Sequence, residues 1–273
     1  MTLRNLLLLL ICLPTFILAG NDNIHFGGRS AGMGHASVTL SDVWSSHHNQ
    51  AGLGWLTKSE AGVFAQNRFL VKEMNYIGFA YAHPVKSGAF ALSFTNFGYS
   101  QYGESKLGLA YGLKFSERIT GGVQINYHNT RIGNNYGSAS VLSSEMGLQA
   151  KLTSKLELGL HLFNPTQAKL NDFNDERIPT IMRLGMAYTF SNKVFITLEA
   201  EKDIDFPANF KAGIEYKAND KRDLRGGIGA SPTAATFGVG VYHKGLKFDL
   251  ASSYHQVLGF IPEVSLTYVF EKN

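Results

Sequence analysis

The side chains able to do chemistry are spread along the chain rather than gathered in motifs. His128, His161, Glu145, Glu157, Glu199 and Asp249 each stand beside a large apolar residue, as do Lys114, Lys151, Arg183, Lys211, Arg225 and Lys247, while Glu201 follows Ala200. A lipid hydrolase needs a serine beside a histidine that a third polar group orients, and a protease needs paired acids with a histidine. No local signature of either kind surrounds these residues. Charge held away from bulk water demands a partner, so the acids and bases read as compensating pairs and a non-enzymatic chain is expected. His25, His35 and the adjacent His47-His48 suggest a metal, yet neighbouring histidines on a strand or helix diverge, and no ligand spacing follows. The run Gly27-Gly28-Arg29-Ser30-Ala31-Gly32-Met33-Gly34 would cradle phosphate only between a strand and a long helix, and neither flanks it. Neither a metal nor a cofactor is expected.

What positions these residues is an alternation that fills most of the sequence. Of 273 residues, 44% are hydrophobic, 12% aromatic and only 17% charged. That is too apolar for a disordered chain, and the sequence lacks the repeated long apolar runs of a helical membrane protein. The formal charge of +4, with no basic run, leaves no footprint for nucleic acid. The 29 glycines beside 19 Phe and 12 Tyr point to an all-β chain. Residues 1–20 read as a removed signal peptide: Arg4, an apolar run over 6–18, then Ala19-Gly20. The single cysteine, Cys12, lies in that run, so the exported chain has neither disulfides nor thiolate chemistry.

From about residue 58 to 273, strand-length stretches set large apolar residues against Gly, Ala or charge. Leu107, Leu109, Tyr111, Leu113 and Phe115 alternate with Gly108, Ala110, Gly112 and Lys114. Strand side chains point to opposite faces with period two, so one face is apolar and the other small or charged. A soluble sandwich does not explain why the second face is so often glycine; a membrane barrel with lipid outside and a crowded lumen explains both. Fourteen candidate strands centre near Val63, Phe79, Leu92, Leu109, Ile125, Met146, Leu158, Leu184, Ile196, Ile214, Ile228, Val239, Phe248 and Leu266. The expected fold is an all-β, 14-stranded antiparallel transmembrane β-barrel. Tight turns alternate with longer connections at 96–106, 129–138 and 164–179. In such barrels short turns face the periplasm, which places both termini there. Aromatic belts are expected from Tyr81, Phe115, Phe190, Tyr216, Tyr242 and Phe270 at one interface and from Phe97, Tyr127, Phe163 and Tyr254 at the other.

Residues 21–57 do not alternate like a membrane strand, and Ser41 or Asp42 would cap one helical turn there. Their motif runs Gly28, Arg29, Gly32, Met33, Gly34 and Ala36, then Val38, Leu40 and Asp42, then Asn49, Ala51, Gly52 and Leu53. This resembles the outer-membrane long-chain fatty-acid transporter (FadL-like) superfamily, especially its PorV/PorQ branch. The resemblance implies a 14-stranded barrel in the bacterial outer membrane, closed by an N-terminal luminal hatch. Gln50 stands where the family carries a proline, so the stiffening of the hatch is lost. Two functions follow from the resemblance. The first is a surface component of type IX secretion, with cargo proteins or secretion machinery as partners. The second is a passive transporter for hydrophobic small molecules such as long-chain fatty acids, with Met33, Val38, Leu40 and Trp44 offering apolar contacts. The longest loop, 164–179, is short and polar, and the inner faces offer mostly Gly, Ala and charge, which favours the first.

Overall fold

The computed structural model describes residues 25–133, 137–171, 176–231 and 233–271. The expected signal peptide, residues 21–24, Asp172 and Asp175 lie outside them. Strands β1 (Glu60–Asn67), β2 (Asn75–Val85), β3 (Gly88–Gly98), β4 (Tyr102–Lys114), β5 (Ile119–Ile132), β6 (Gly137–Lys151) and β7 (Leu156–Phe163) run in sequence. After a short ribbon of β8 (Lys169–Asn171) and β9 (Glu176–Arg177) come β10 (Ile181–Thr189), β11 (Val194–Asp203), β12 (Asn209–Asn219) and β13 (Arg222–Ala230). The last three strands are β14 (Thr233–His243), β15 (Leu246–His255) and β16 (Gly259–Val269). All but β8 and β9 form one closed antiparallel barrel of fourteen strands. Val63 of β1 lies opposite both Phe79 of β2 and Leu266 of β16, so the first strand seals against the last. Closure leaves no edge, the condition for a sheet to satisfy its backbone groups without water.

Each of the fourteen expected strand centres falls inside a barrel strand. The faces separate as the alternation requires: Leu109 is 63% exposed while its neighbour Ala110 is 2% exposed. Ile125, Leu184, Ile228 and Leu250 likewise show more than half their surface on the outside. The irregular alternation around Val63 has its cause in what lies inward: Glu60 and Phe64 are buried, and Trp44 occupies the space a side chain at Gly62 would need.

Two expectations are corrected. The connections 96–106 and 129–138 are mostly strand, because β4 begins at Tyr102, β5 extends to Ile132 and β6 restarts at Gly137. Pairing as far as Gly98 with Gly103 and Ile132 with Gly137 satisfies backbone groups that a loop would leave to water. The aromatic belts also lose members to strand parity. Tyr81, Phe115, Phe190, Tyr216 and Phe270 are exposed at the short-turn end, as are Tyr127 and Tyr254 at the other. Phe163 is 1% exposed because it follows outward Leu162 by one residue. Tyr242 points into the lumen to bond Asp223 and Arg225, and Phe97 turns in to stack on buried Tyr76 at 4.1 Å.

Candidate functional site

The N-terminal segment lies within the barrel, and its sequence explains how it stays compact. The glycine run coils into one helical turn, α1 (Gly28–Gly32), and a second turn, α2 (Ser45–His48), leads into a 3-10 turn over Gln50–Trp55. Gly34 takes a left-handed φ of 66°, open to it at no steric cost. Asp42 accepts the backbone N–H of Trp44 at 2.9 Å and so organises the entry to α2, although no side chain caps the helix itself.

Side chains on the barrel wall fasten this segment. Arg29 pairs with Glu215 of β12 in two parallel bonds of 2.8 and 2.7 Å, a planar fork on a carboxylate. Glu215 also receives Arg225 Nε at 2.7 Å. Glu199 of β11 accepts the N–H groups of Ser37 and Val38 at 2.7 and 2.8 Å, and Glu60 accepts that of Val43 at 3.0 Å. Gln50, at the position of the missing proline, donates to Glu145 of β6 at 2.7 Å. Asn49 reaches from the segment to the carbonyls of Val38, Leu148 and Leu160 at 2.8, 3.3 and 3.2 Å, joining it to β6 and β7. Gly28 N–H donates to Ser265 and Gly34 N–H to Thr236, both at 2.9 Å.

The wall is shaped to receive it. A Cβ built on Gly122 would fall on the backbone of Gln50, and one on Gly147 would fall on Asn49 Oδ1. Gly213 faces the carbonyl of Met33, Gly227 faces Gly34, and Gly159 faces the Val38 carbonyl, which a Cβ would approach to 2.5 Å. The inner-face glycines are therefore the bed of the N-terminal segment. Of the motif glycines, Gly32 lies against Gly238 of β14 on the wall, while Gly52 lies against the carbonyl of Leu40 within the segment itself. Ala36, Ala51 and Leu53 are buried to 1% exposure or less.

The proposed apolar contacts do not share a site. Trp44 belongs to a cluster with Phe26, Val43, Leu53, Phe64 and Tyr76, lined by Ala80, Ala82, Ala89, Ala91 and Ala110 of β2 to β4. Met33 packs on β12 and Val38 on β7 and β10, and Leu40 is likewise outside that cluster. His47 sits in the same apolar sector, 4.6 Å from the Phe26 ring, and burial pushes its pKa down to about 3, so the imidazole there is neutral. Where Phe26 presses on Gly78 from inside, the outer wall carries a groove of about 400 Å³ lined by Val63, Ile77, Phe79, Phe94 and Val264. This stretch of wall is apolar on both sides.

Cavities flank the segment at both ends. At the end bearing the short turns, a cavity of about 600 Å³ is bounded by Gly54, Trp55, His83 and Phe270. At the opposite end a vestibule of about 640 Å³ is floored by His25, Gly34 and His35, with Phe69, Phe206, Leu258 and Ile261 on its rim. None of Met33, Val38, Leu40 and Trp44 lines this vestibule. Its rim residues were missed in the sequence because Phe69, Phe206 and Leu258 each stand alone in a turn, with no periodicity to mark them, and Ile261 lies at the start of β16.

The acids and bases behave mainly as balanced groups. His25, Glu199 and Glu201 converge as metal ligands would, but the ammonium of Lys211 lies 2.8 Å from Glu201 and 3.4 Å from Glu199. Arg183 adds a second cation 2.6 Å from Glu201, so the charge is neutralised without a metal. His128 Nε2 lies 2.8 Å from Ser143 Oγ, a base beside a nucleophile. Both side chains are sealed at 4% exposure or less, and among the described residues no carboxylate hydrogen-bonds His128 to orient it.

No family model matches the sequence, and no curated protein matches it. Solved structures do. The CymD monoaromatic hydrocarbon channel superposes with a TM-score of 0.73 at 12% identity, covering 93% of this chain and all of that one, 100%. The toluene transporter TbuX of Ralstonia pickettii gives 0.69 at 13% identity over 94% of this chain and 100% of its own. A FadL homologue of Pseudomonas aeruginosa gives 0.67 at 12% over 93% and 100%. Identities this low speak to architecture, and the architecture of this chain is that of the FadL-like channels: a closed, fourteen-stranded antiparallel barrel.

Proposed function

We propose that this barrel lies in the bacterial outer membrane and passes hydrophobic small molecules passively, with residues 25–56 acting as its hatch. The observation that carries the proposal is the apolar-rimmed vestibule ending on a segment that separates it from the cavity at the far end. The fold shared with hydrocarbon channels supports the same reading. The secretion role drawn from the hatch motif finds no support in those structures. Polar loops argued against capture of an apolar ligand, yet the vestibule gathers Phe69, Phe206, Leu258 and Ile261 from separate turns and strand ends. The apolar sector between the hatch and β1 to β4 offers surface for such a ligand once the hatch shifts. We read the protein as non-enzymatic, with Glu60, Glu145, Glu199 and Glu215 engaged in anchoring the hatch and Glu201 neutralised by Arg183 and Lys211.

A strain lacking the protein should take up radiolabelled toluene several-fold more slowly and keep its surface proteome. Unchanged uptake with an altered surface proteome would install the secretion reading instead. Orientation has its own test, since the chain beyond residue 20 has no cysteine. Val257→Cys, at a position 84% exposed in the β15–β16 turn, should react with an impermeant maleimide on intact cells, whereas Asp220→Cys in the β12–β13 turn should not. Equal labelling of the two would reverse or abolish the proposed orientation.

A further inference from the structure

The floor of the vestibule holds more acceptors than its walls satisfy. Glu263 projects inward from β16 at 1% exposure. Its Oε1 accepts from Ser253 Oγ at 3.3 Å and lies 3.6 Å from His35 Nε2. Its Oε2 has no hydrogen-bond partner among the described residues. Gln66, its cross-strand neighbour on β1, is also buried and leaves Oε1 unpartnered. Both residues line the vestibule. Buried acceptors are almost always paired, so two orphans side by side at the bottom of a cavity mark a place where a donor belongs.

The charge around them sets the sign of that donor. Glu201, across the vestibule, is matched by Arg183 and Lys211. Glu263 and Asp203, which also line it, form no ion pair with Arg or Lys among the described residues. Arg68 and Lys211 also line the vestibule, but the atoms left without a donor on its floor are the oxygens of Glu263 and Gln66, which repel a carboxylate and which an ammonium or hydroxyl supplies with what they lack.

We infer that the vestibule selects apolar small molecules tipped with a hydrogen-bond donor, an alkylammonium or an alcohol, over carboxylates of equal chain length. The donor seats on Glu263 and Gln66, and the apolar body lies against Phe69, Phe206 and Leu258. This rests on the transport reading and names its substrate class.

The test uses the full protein in phosphatidylcholine nanodiscs at neutral pH. Hexylamine, 1-hexanol and hexanoate are measured by equilibrium dialysis against protein-free discs, which removes partition into lipid. Hexylamine should bind at least about tenfold more tightly than hexanoate, with 1-hexanol between them. Glu263→Gln, nearly isosteric, should weaken hexylamine about tenfold and change 1-hexanol by less than about threefold. Gln66→Leu should weaken both, and heat-modifiable gel migration checks that each variant is folded. Hexanoate binding as tightly as hexylamine, an unchanged ranking in folded Glu263→Gln, or no probe binding above the protein-free discs would each overturn the inference. None of these results alters uptake in the deletion strain, which decides the transport reading separately.

Discussion

Gly122→Val is expected to make the barrel conduct ions while leaving it folded. The position lies on the inner face of β5, where a Cβ would land on the backbone of Gln50 rather than on a side chain able to rotate away. Overpacking of this kind costs roughly 1–3 kcal/mol when the surroundings cannot relax. Here the cheaper response is displacement of the hatch, because valine itself suits a strand. Eight strands make a barrel filled by its own side chains and sixteen leave a water channel, so fourteen with small inner residues need something to occupy the lumen. Planar-bilayer recordings should show a larger single-channel conductance for Gly122→Val, matched by a variant deleted for residues 27–53. Gly226→Ala serves as the control, since a Cβ there makes only ordinary contacts, 3.8 Å from Ile214 and 3.9 Å from the Thr236 carbonyl. A folded Gly122→Val barrel with the parental conductance would remove the hatch from the mechanism.

The barrel was legible in the sequence because its signal is redundant. Each strand repeats the same period-two contrast, so a weak member such as the stretch around Val63 is carried by thirteen stronger ones. The excess of inner glycine was legible as crowding, but its object was not. That Gly147 makes room for Asn49, or Gly213 for Met33, is a contact across more than ninety residues that leaves no local pattern. The luminal charges were half read. Pairs between neighbouring strands such as Arg183 with Glu201 follow from register, but Glu199 and Glu60 accept backbone N–H groups of the hatch, a partner any sequence offers everywhere. The apolar site drawn from Met33, Val38, Leu40 and Trp44 failed for a related reason. The segment folds as short turns rather than one helix, so its side chains diverge to different walls. Phe163 and Tyr242 left the aromatic belts because a one-residue change of parity moves a ring from lipid to lumen.

The same parity makes Leu109→Arg the most damaging single change on the outer wall. Leu109 sits mid-strand in β4, 63% exposed, with Leu92 of β3 and Ile125 of β5 as cross-strand partners on the outer face. An arginine there must leave its guanidinium in hydrocarbon or bend it toward a distant headgroup, a cost of about 2–4 kcal/mol at the midplane of such barrels. The lipid around it offers no carboxylate, and the luminal acids lie behind the wall. Ala110, one residue on, points inward beside the hatch at 2% exposure. Ala110→Ser adds one small hydroxyl on the luminal side, where polar groups are already common, and should assemble like the parent. The measurement is the fraction of heat-modifiable barrel recovered in outer-membrane preparations, with urea titration in liposomes for the energetic difference. Loss of assembly for Leu109→Arg beside normal assembly for Ala110→Ser fixes which face meets lipid. Normal assembly of both would mean that the apolar faces of β3 to β5 are covered by protein, and the barrel would then have to be one subunit of a larger assembly.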